Sequence, residues 1–198
     1  MNAADLEELF VDSGALLKGH FQLSSGRHSA QYFQCALLLS DTKTAASLGT
    51  AVADKLPAPW GRVDTVVGPA LGGLIIGHET ARALGARCLF TERKNGEMAL
   101  RRGFAVSPGE KIVIVEDVIT TGKSTGEVVR LLTSLGAEVV GALCIVLRGA
   151  RTPDVGIPIE SLAKLSAESF SAEECPLCKD AIALVKPGSR PAGKTAKG

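Results

Sequence analysis

Between Val113 and Thr125 the chain reads Val-Ile-Val-Glu-Asp-Val-Ile-Thr-Thr-Gly-Lys-Ser-Thr. An apolar, β-branched run leads into two adjacent acids, and a loop then supplies hydroxyls, a glycine and the start of a helix. Free backbone N–H groups and the helix dipole favour a phosphate at such a place. Thr120, Thr121, Ser124 and Thr125 add hydroxyl donors. The carboxylates of Glu116 and Asp117 repel that phosphate, so they address something neutral or cationic beside it. Ribose hydroxyls, or a carbocation developing on a sugar, meet that requirement. Local chemistry alone leaves a plainer alternative open, in which Asp117 caps the turn and the hydroxyls solvate a loop.

Other elements must hold this loop in place. Ala3 to Val11 has amphipathic helical spacing, with Leu6, Leu9 and Phe10 on one side and Gly14 as a stop. Lys18 to Cys35 has no helical period, and Ser24-Ser25-Gly26 suits a hairpin turn. Asp41 can cap a helix reaching about Leu56, because Ala45, Leu48, Val52 and Leu56 share a face. From Asp64 the rhythm becomes strand, loop and helix, repeated. Thr65 to Val67, residues 87–91, Lys111 to Val115 and Glu138 to Leu147 read as strands. Helices follow Gly73, ending near Leu84, and Lys123, ending near Leu135. This alternation predicts an α/β fold, a parallel sheet flanked by helices on both faces. Ligands in such sheets bind outside the carboxyl ends of the strands, which singles out the loops after Val67 and Val115.

Composition narrows the function classes. With 198 residues, 45% hydrophobic and 22% charged, the chain suits one globular domain. The longest apolar stretch, Val139 to Leu147, is too short to span a bilayer. Asp5, Glu7 and Glu8 near the start, without a basic or apolar leader region, argue against a secretion signal. Five cysteines, an odd number, then read as reduced thiols of a cytoplasmic protein. Lys186 to Gly198 holds four basic residues and no acid, leaving −3 on the rest of a chain whose net charge is +1. A mildly acidic body, with 4% aromatic residues, disfavours nucleic acid as a partner.

Val115 to Thr125 resembles the phosphoribosyl-pyrophosphate motif of type I phosphoribosyltransferases. Phe21 to Ser29, followed by Tyr32, is similar to the N-terminal signature of the orotate-using members. Gly68-Pro69-Ala70 with Gly72-Gly73 looks like their pyrophosphate loop, and Glu92-Arg93-Lys94, Leu100 to Phe104 and Arg148 follow in the expected order. The resemblance covers roughly residues 3 to 150. It implies transfer of phosphoribosyl from phosphoribosyl pyrophosphate to orotate, giving orotidine 5′-monophosphate and pyrophosphate, in pyrimidine biosynthesis. Alternatives are another base as acceptor, or a non-catalytic regulator that binds the same sugar pyrophosphate.

By the same resemblance, Glu116, Asp117 and Lys94 are catalytic. Phosphoribosyl pyrophosphate is held by Arg93, Lys94, Glu116, Asp117, Val118, Ile119, Thr120, Thr121, Gly122, Lys123 and Ser124, and orotate by Thr120 and Arg148. Mg²⁺ is held mainly by the substrate rather than by protein ligands, and the working unit is a homodimer. One domain is implied over residues 1–185, with a small hood from about 15–40 and 157–185, and a flexible basic tail over 186–198. The chain departs from the family where Ser24 and Gly72 replace common lysines, and where Asn95 to Leu100 lacks Lys and His. Arg93, Lys94, Arg101 and Arg102, bracketing the Asn95-Gly96 turn, are the candidates to compensate.

Three further motifs are weaker. Gly122-Lys123-Ser124 imitates the end of a phosphate-binding Walker A loop, but the position requiring its first glycine is Asp117. Gly188 to Thr195 spells that motif fully, yet contains Pro191 and leaves three residues for a helix. Cys175-Pro176-Leu177-Cys178 is a CxxC without a second pair at zinc-finger spacing, which favours structural or incidental thiols over a metal or redox site. It follows a capping box, Ser171 to Glu174, so it should begin a short helix. His20, His28 and His78 are scattered, and none is assigned a catalytic role.

Overall fold

Helical and β-branched segments alternate along the chain much as their periodicity requires. A computed structural model describes residues 3–23, 26–149, 151–165 and 168–186. The elements, in chain order, begin with α1 (Ala3–Asp12), β1 (Leu16–Gln22), β2 (His28–Phe33), α2 (Cys35–Leu38) and α3 (Thr42–Ala53). They continue with β3 (Thr65–Pro69), α4 (Gly73–Leu84), β4 (Arg87–Lys94), β5 (Glu97–Leu100) and β6 (Lys111–Ile119). The last are α5 (Lys123–Ser134), β7 (Glu138–Arg148), β8 (Ile159–Leu165) and α6 (Pro176–Lys179). No helix among the described residues is long and apolar enough to cross a membrane.

The chain divides into two units. The first, from residues up to 15 and 34–166, holds a six-stranded sheet in the order β5-β4-β3-β6-β7-β8. All neighbours are parallel except β4 and β5. From β3 the chain steps one way to β4, and from β6 it steps the other way to β7. Right-handed crossovers therefore put α4 and α5 on opposite faces, and the strand order reverses between β3 and β6. A crevice opens outside the carboxyl ends of strands at such a reversal.

Ile112, Val113, Ile114 and Val115 are fully buried in β6, as a central parallel strand covered on both faces should be. Ile112 and Ile114 join Val67, Val128, Leu132 and Ala142 in the core beneath α5. Helix boundaries follow local chemistry. Asp41 accepts a hydrogen bond from the Thr44 N–H at 2.8 Å and starts α3. That helix ends at Ala53 rather than Leu56, because Pro57 pushes the residue before it out of helical geometry. Gly85, at φ +64°, closes α4.

Five strands differ from the sequence expectation. β3 and β4 run further, to Pro69 and Lys94. β6 does not stop at the acids but continues to Ile119, since its pairing with β7 persists from Glu116 opposite Cys144 to Ile119 opposite Leu147. An unforeseen antiparallel strand, β5, returns along β4 after Asn95-Gly96. Ile159–Leu165, expected in the hood, is β8 and pairs with β7 in the main sheet.

The second unit comprises residues 16–33 and the chain after 166. β1 and β2 form an antiparallel hairpin with an irregular register between Lys18 and Phe21. Single bridges tie Phe21 to Val185 and His28 to Phe170. Ser24 and Ser25, and the expected tail beyond Lys186 with its Gly188 to Thr195 motif, lie outside the described residues.

Candidate active site

The two acids of β6 sit where the strand enters the crevice, and the pleat sends them to opposite faces. Glu116 turns toward α5, where Thr125 Oγ1 donates a hydrogen bond to its Oε1 at 2.5 Å. Asp117 turns toward the β3–α4 loop. A Cβ added to Gly72 would land on the Asp117 carboxylate, and one added to Gly73 would meet the Val115 carbonyl at 2.7 Å. These glycines are thus required by the closeness of the two loops. Asp117 Oδ1 also accepts from the Val118 N–H at 2.7 Å.

Burial controls the charge of both acids. Glu116 is 9% exposed. Desolvation pushes its carboxyl from an ordinary 4.5 up to about 7, against the Thr125 hydrogen bond and with help from the Asp117 charge. Asp117 is raised as well, again chiefly by desolvation, with its backbone hydrogen bonds opposing.

After Ile119 the chain turns through Thr120, Thr121 and Gly122 into α5. Gly122 has φ +70°, and a Cβ there would also strike Val155 and Pro153, so glycine is doubly required. No side chain caps α5, and its first bond of this kind is Gly126 N–H to the Gly122 carbonyl at 2.8 Å. The amides of Lys123, Ser124 and Thr125 therefore face the crevice end of the helix, where the dipole is positive. Thr120, Thr121, Lys123 and Ser124 retain partial or full exposure. Val118 is partly buried and Ile119 buried, as members of the strand that sets this turn.

The remaining sequence candidates fall around the same crevice edge of the sheet. Ile119 pairs with Leu147, which brings Arg148 level with Thr120 on the neighbouring strand. Arg148 is 8% exposed, so its guanidinium does not extend into solvent. Lys94, at the carboxyl end of β4, is exposed and makes no ion pair among the described residues. Arg93 pairs with Glu127 of α5 at 2.7 Å and donates to the Gly96 carbonyl at 2.6 Å. Arg101 and Arg102 both pair with Glu92, at 3.4 and 3.1 Å. His78 stands exposed on α4, with Nδ1 3.6 Å from Glu79 Oε1.

Sequence reasoning did not foresee Thr125 as the partner of Glu116, although its spacing one turn into a helix after the acids was a usable signal. Nor did it foresee that His20 and His28 meet Cys175 and Cys178 in the second unit. The helix α6 begins between those cysteines, after Glu174 N–H donates to Ser171 Oγ at 3.3 Å.

A reversal of strand order and an uncapped helix start with two acids on the strand before it are the features of a phosphate-binding α/β protein. Residues 41–175 match the phosphoribosyl transferase domain family. An orotate phosphoribosyltransferase of Carboxydothermus hydrogenoformans is 48% identical over 190 residues, covering 96% of this chain and 100% of that one. One from Thermotoga maritima is 50% identical over 185 residues, covering 93% and 98%. The crystal structure of orotate phosphoribosyltransferase from Aeropyrum pernix superposes with a TM-score of 0.64 at 29% identity, over 81% of this chain and 93% of that one. The chain belongs to the orotate phosphoribosyltransferase family.

Proposed function

We propose that this chain transfers the phosphoribosyl group of phosphoribosyl pyrophosphate to orotate, forming orotidine 5′-monophosphate and pyrophosphate for pyrimidine synthesis. One observation carries the reading. Glu116 is joined by Thr125 to the start of an uncapped helix, with Asp117 next to it on the strand and turned to the β3–α4 loop, in a chain whose full-length relatives are named for this reaction.

In the reaction the bond from the anomeric carbon to a pyrophosphate oxygen breaks, its electron pair leaving with pyrophosphate. A ring nitrogen of orotate bonds to that carbon as its proton is lost to solvent or to the departing pyrophosphate. Positive charge develops on the sugar between the two events. A carboxylate about 4 Å from a unit positive charge, at an effective dielectric near 20, is worth about 4 kcal/mol. Only the part that grows toward the transition state accelerates the step. Glu116 and Asp117 hold the ribose hydroxyls and supply this field. A cationic centre beside them favours their ionised forms and offsets the burial that raises their pKa values.

The turn from Thr120 through Ser124, with its amides and the hydroxyls of Thr120, Thr121 and Ser124, holds the 5′-phosphate. Arg148 grips the orotate carboxylate with two parallel hydrogen bonds, assisted by Thr120. Lys94 balances charge on the leaving pyrophosphate, with Arg93 beside it.

Mg²⁺ fits this donor set. Among the described residues the tip of β6 offers two carboxylates and no third His, Cys, Asp or Glu to make a protein cage. An ion taken with the oxygens of the substrate and water suits that arrangement, with Glu116 and Asp117 as the protein groups nearest to hand. Bound there, it supplies charge neutralisation for the pyrophosphate.

The family resemblance further supports a cytoplasmic homodimer with loops shared across its interface. Sedimentation of the purified chain tests the dimer. Loss of orotate ultraviolet absorbance, with phosphoribosyl pyrophosphate and magnesium supplied, tests the activity. No loss of orotate together with turnover of a purine would replace orotate by another base, and tight binding without turnover would point to a regulator.

A further inference from the structure

The second unit contains a cluster that the transfer reaction does not use. We propose that His20, His28, Cys175 and Cys178 form a tetrahedral structural zinc site that fastens the β1–β2 hairpin to the C-terminal segment.

The geometry is that of a built site. The four ligand atoms lie within 4.8 Å of one another. His20 Nε2 and His28 Nδ1 are 2.9 Å apart. The Cys175 sulfur is 3.5 Å from His20 Nε2, and the Cys178 sulfur is 3.7 Å from His20 Nε2 and 3.3 Å from His28 Nδ1. A tetrahedral zinc with ordinary Zn–N and Zn–S bonds separates its ligand atoms by about 3.3 Å between nitrogens, about 3.5 Å from nitrogen to sulfur and about 3.8 Å between sulfurs. The nitrogen pair is slightly closer than that, three of the four nitrogen-to-sulfur spacings match to within a few tenths of an ångström, and the remaining pairs stay within 4.8 Å.

The surroundings orient the ligands. His20 Nδ1 lies 2.7 Å from the Ile182 carbonyl oxygen, which can only accept, so Nδ1 carries the proton and Nε2 turns its lone pair to the cluster. A second hydrogen bond of this kind commonly fixes a metal-bound imidazole. The backbone on both sides is pinned as well. His28 and Phe170 exchange N–H to carbonyl bonds at 2.9 Å, and the Val185 N–H donates to the His20 carbonyl at 2.8 Å. Cys175 caps α6 and Cys178 lies one turn on, so the CxxC presents both sulfurs to one point. His20, His28 and Cys175 are buried, at 2%, 4% and 0% exposure, while Cys178 is exposed and gives an ion a way in.

Chemistry and size favour zinc and a structural role. Two thiolates and two imidazoles suit a borderline-soft ion in tetrahedral geometry. Two thiolates with Zn²⁺ sum to no net charge, which a mostly buried site tolerates. Four protein ligands leave no open position for catalysis. The unit needs such a fastening. Its apolar core is small, and small cores are commonly supplemented by metals or disulfides. Besides Cys175, its buried apolar side chains among the described residues are Phe21 and Phe33.

The test uses the intact, reduced chain. Zinc is removed with a chelator, then titrated back against a chromophoric competitor, and Co²⁺ is added in parallel for its tetrahedral thiolate spectrum. About one equivalent should bind per chain. The spectrum should show thiolate charge transfer, and zinc should slow proteolysis within 16–33 and 168–186. Cys175→Ser with Cys178→Ser, and separately His28→Ala, should lose stoichiometric binding. Zinc bound no more tightly by the wild type than by the double variant, or a Co²⁺ spectrum without thiolate bands, would overturn the site. Wild-type chelation and reloading decides the matter even where a variant fails to fold.

Discussion

Thr125 Oγ1 and Glu116 Oε1 are joined at 2.5 Å, binding the first turn of α5 to the tip of β6. The hydroxyl is the side-chain donor that holds this buried carboxylate. Thr125→Val should leave Glu116 desolvated without it, raise its pKa further, and move the acid limb of the kcat/KM profile upward. A cost of about 1–3 kcal/mol in stability is expected at alkaline pH. Thr125→Ser should restore the profile. An unmoved acid limb in the valine variant would show that the bond has no part in setting the charge of Glu116.

The raised pKa of Glu116 has a second consequence, for stability. Its folded pKa of about 7 exceeds its ordinary 4.5, so the folded state binds the proton more tightly. The resulting stability is full below about pH 4.5 and is lost as pH rises through about 7. The loss is roughly 3 kcal/mol. Asp117, shifted in the same direction, adds to it. Urea unfolding of the unliganded chain at pH 5 and pH 8 should show the difference, and Glu116→Gln should flatten it. Identical slopes in the two proteins would contradict the assignment.

Gly72→Ala places a methyl on the Asp117 carboxylate. If Asp117 holds the ribose as proposed, this displacement should lower kcat/KM by about 100-fold. Thermal unfolding, measured beside the kinetics, should change much less. A normal rate would mean that Asp117 can move without penalty.

Lys94 is the cation of the β4 tip that no acid neutralises among the described residues. Lys94→Ala should lower kcat/KM by about 100-fold and weaken pyrophosphate product inhibition. If turnover and pyrophosphate affinity both hold, the leaving group is balanced elsewhere.

Arg148→Lys keeps the charge and loses the planar fork. The KM for orotate should rise by about 10–100-fold while that for phosphoribosyl pyrophosphate stays near wild type. Equal effects on both substrates would assign Arg148 to the fold rather than to orotate.

Much of this arrangement is legible in the sequence. Lys111 to Val115 reads as a buried parallel strand because both faces are covered, and the amphipathic repeat of α5 with Gly136 after it locates the helix. The site beside them follows from the acids, hydroxyls and glycine that the same stretch carries. The limits are equally physical. Acids are poor strand formers, so the continuation of β6 through Glu116 and Asp117 is hidden until its pairing with β7 is known. For the same reason the acids read as one pair, although the pleat turns one to Thr125 and the other to Gly72. Asn95-Gly96, with φ +54° and +89°, signals a tight hairpin turn, but Glu97–Leu100 has no β-branched residue to announce a strand. His20 and Cys175 are brought together only by tertiary folding, which no local pattern records.

Since β6 carries its acids on the ladder itself, their spacing is governed by the sheet register, the least yielding coordinate in the molecule. Arg93 and Lys94 instead end a strand whose outer partner, β5, is the sheet's edge and returns through a two-residue turn. A lineage could therefore reshape the basic end of β4 by editing that turn alone, while the spacing of Glu116 and Asp117 is inherited intact.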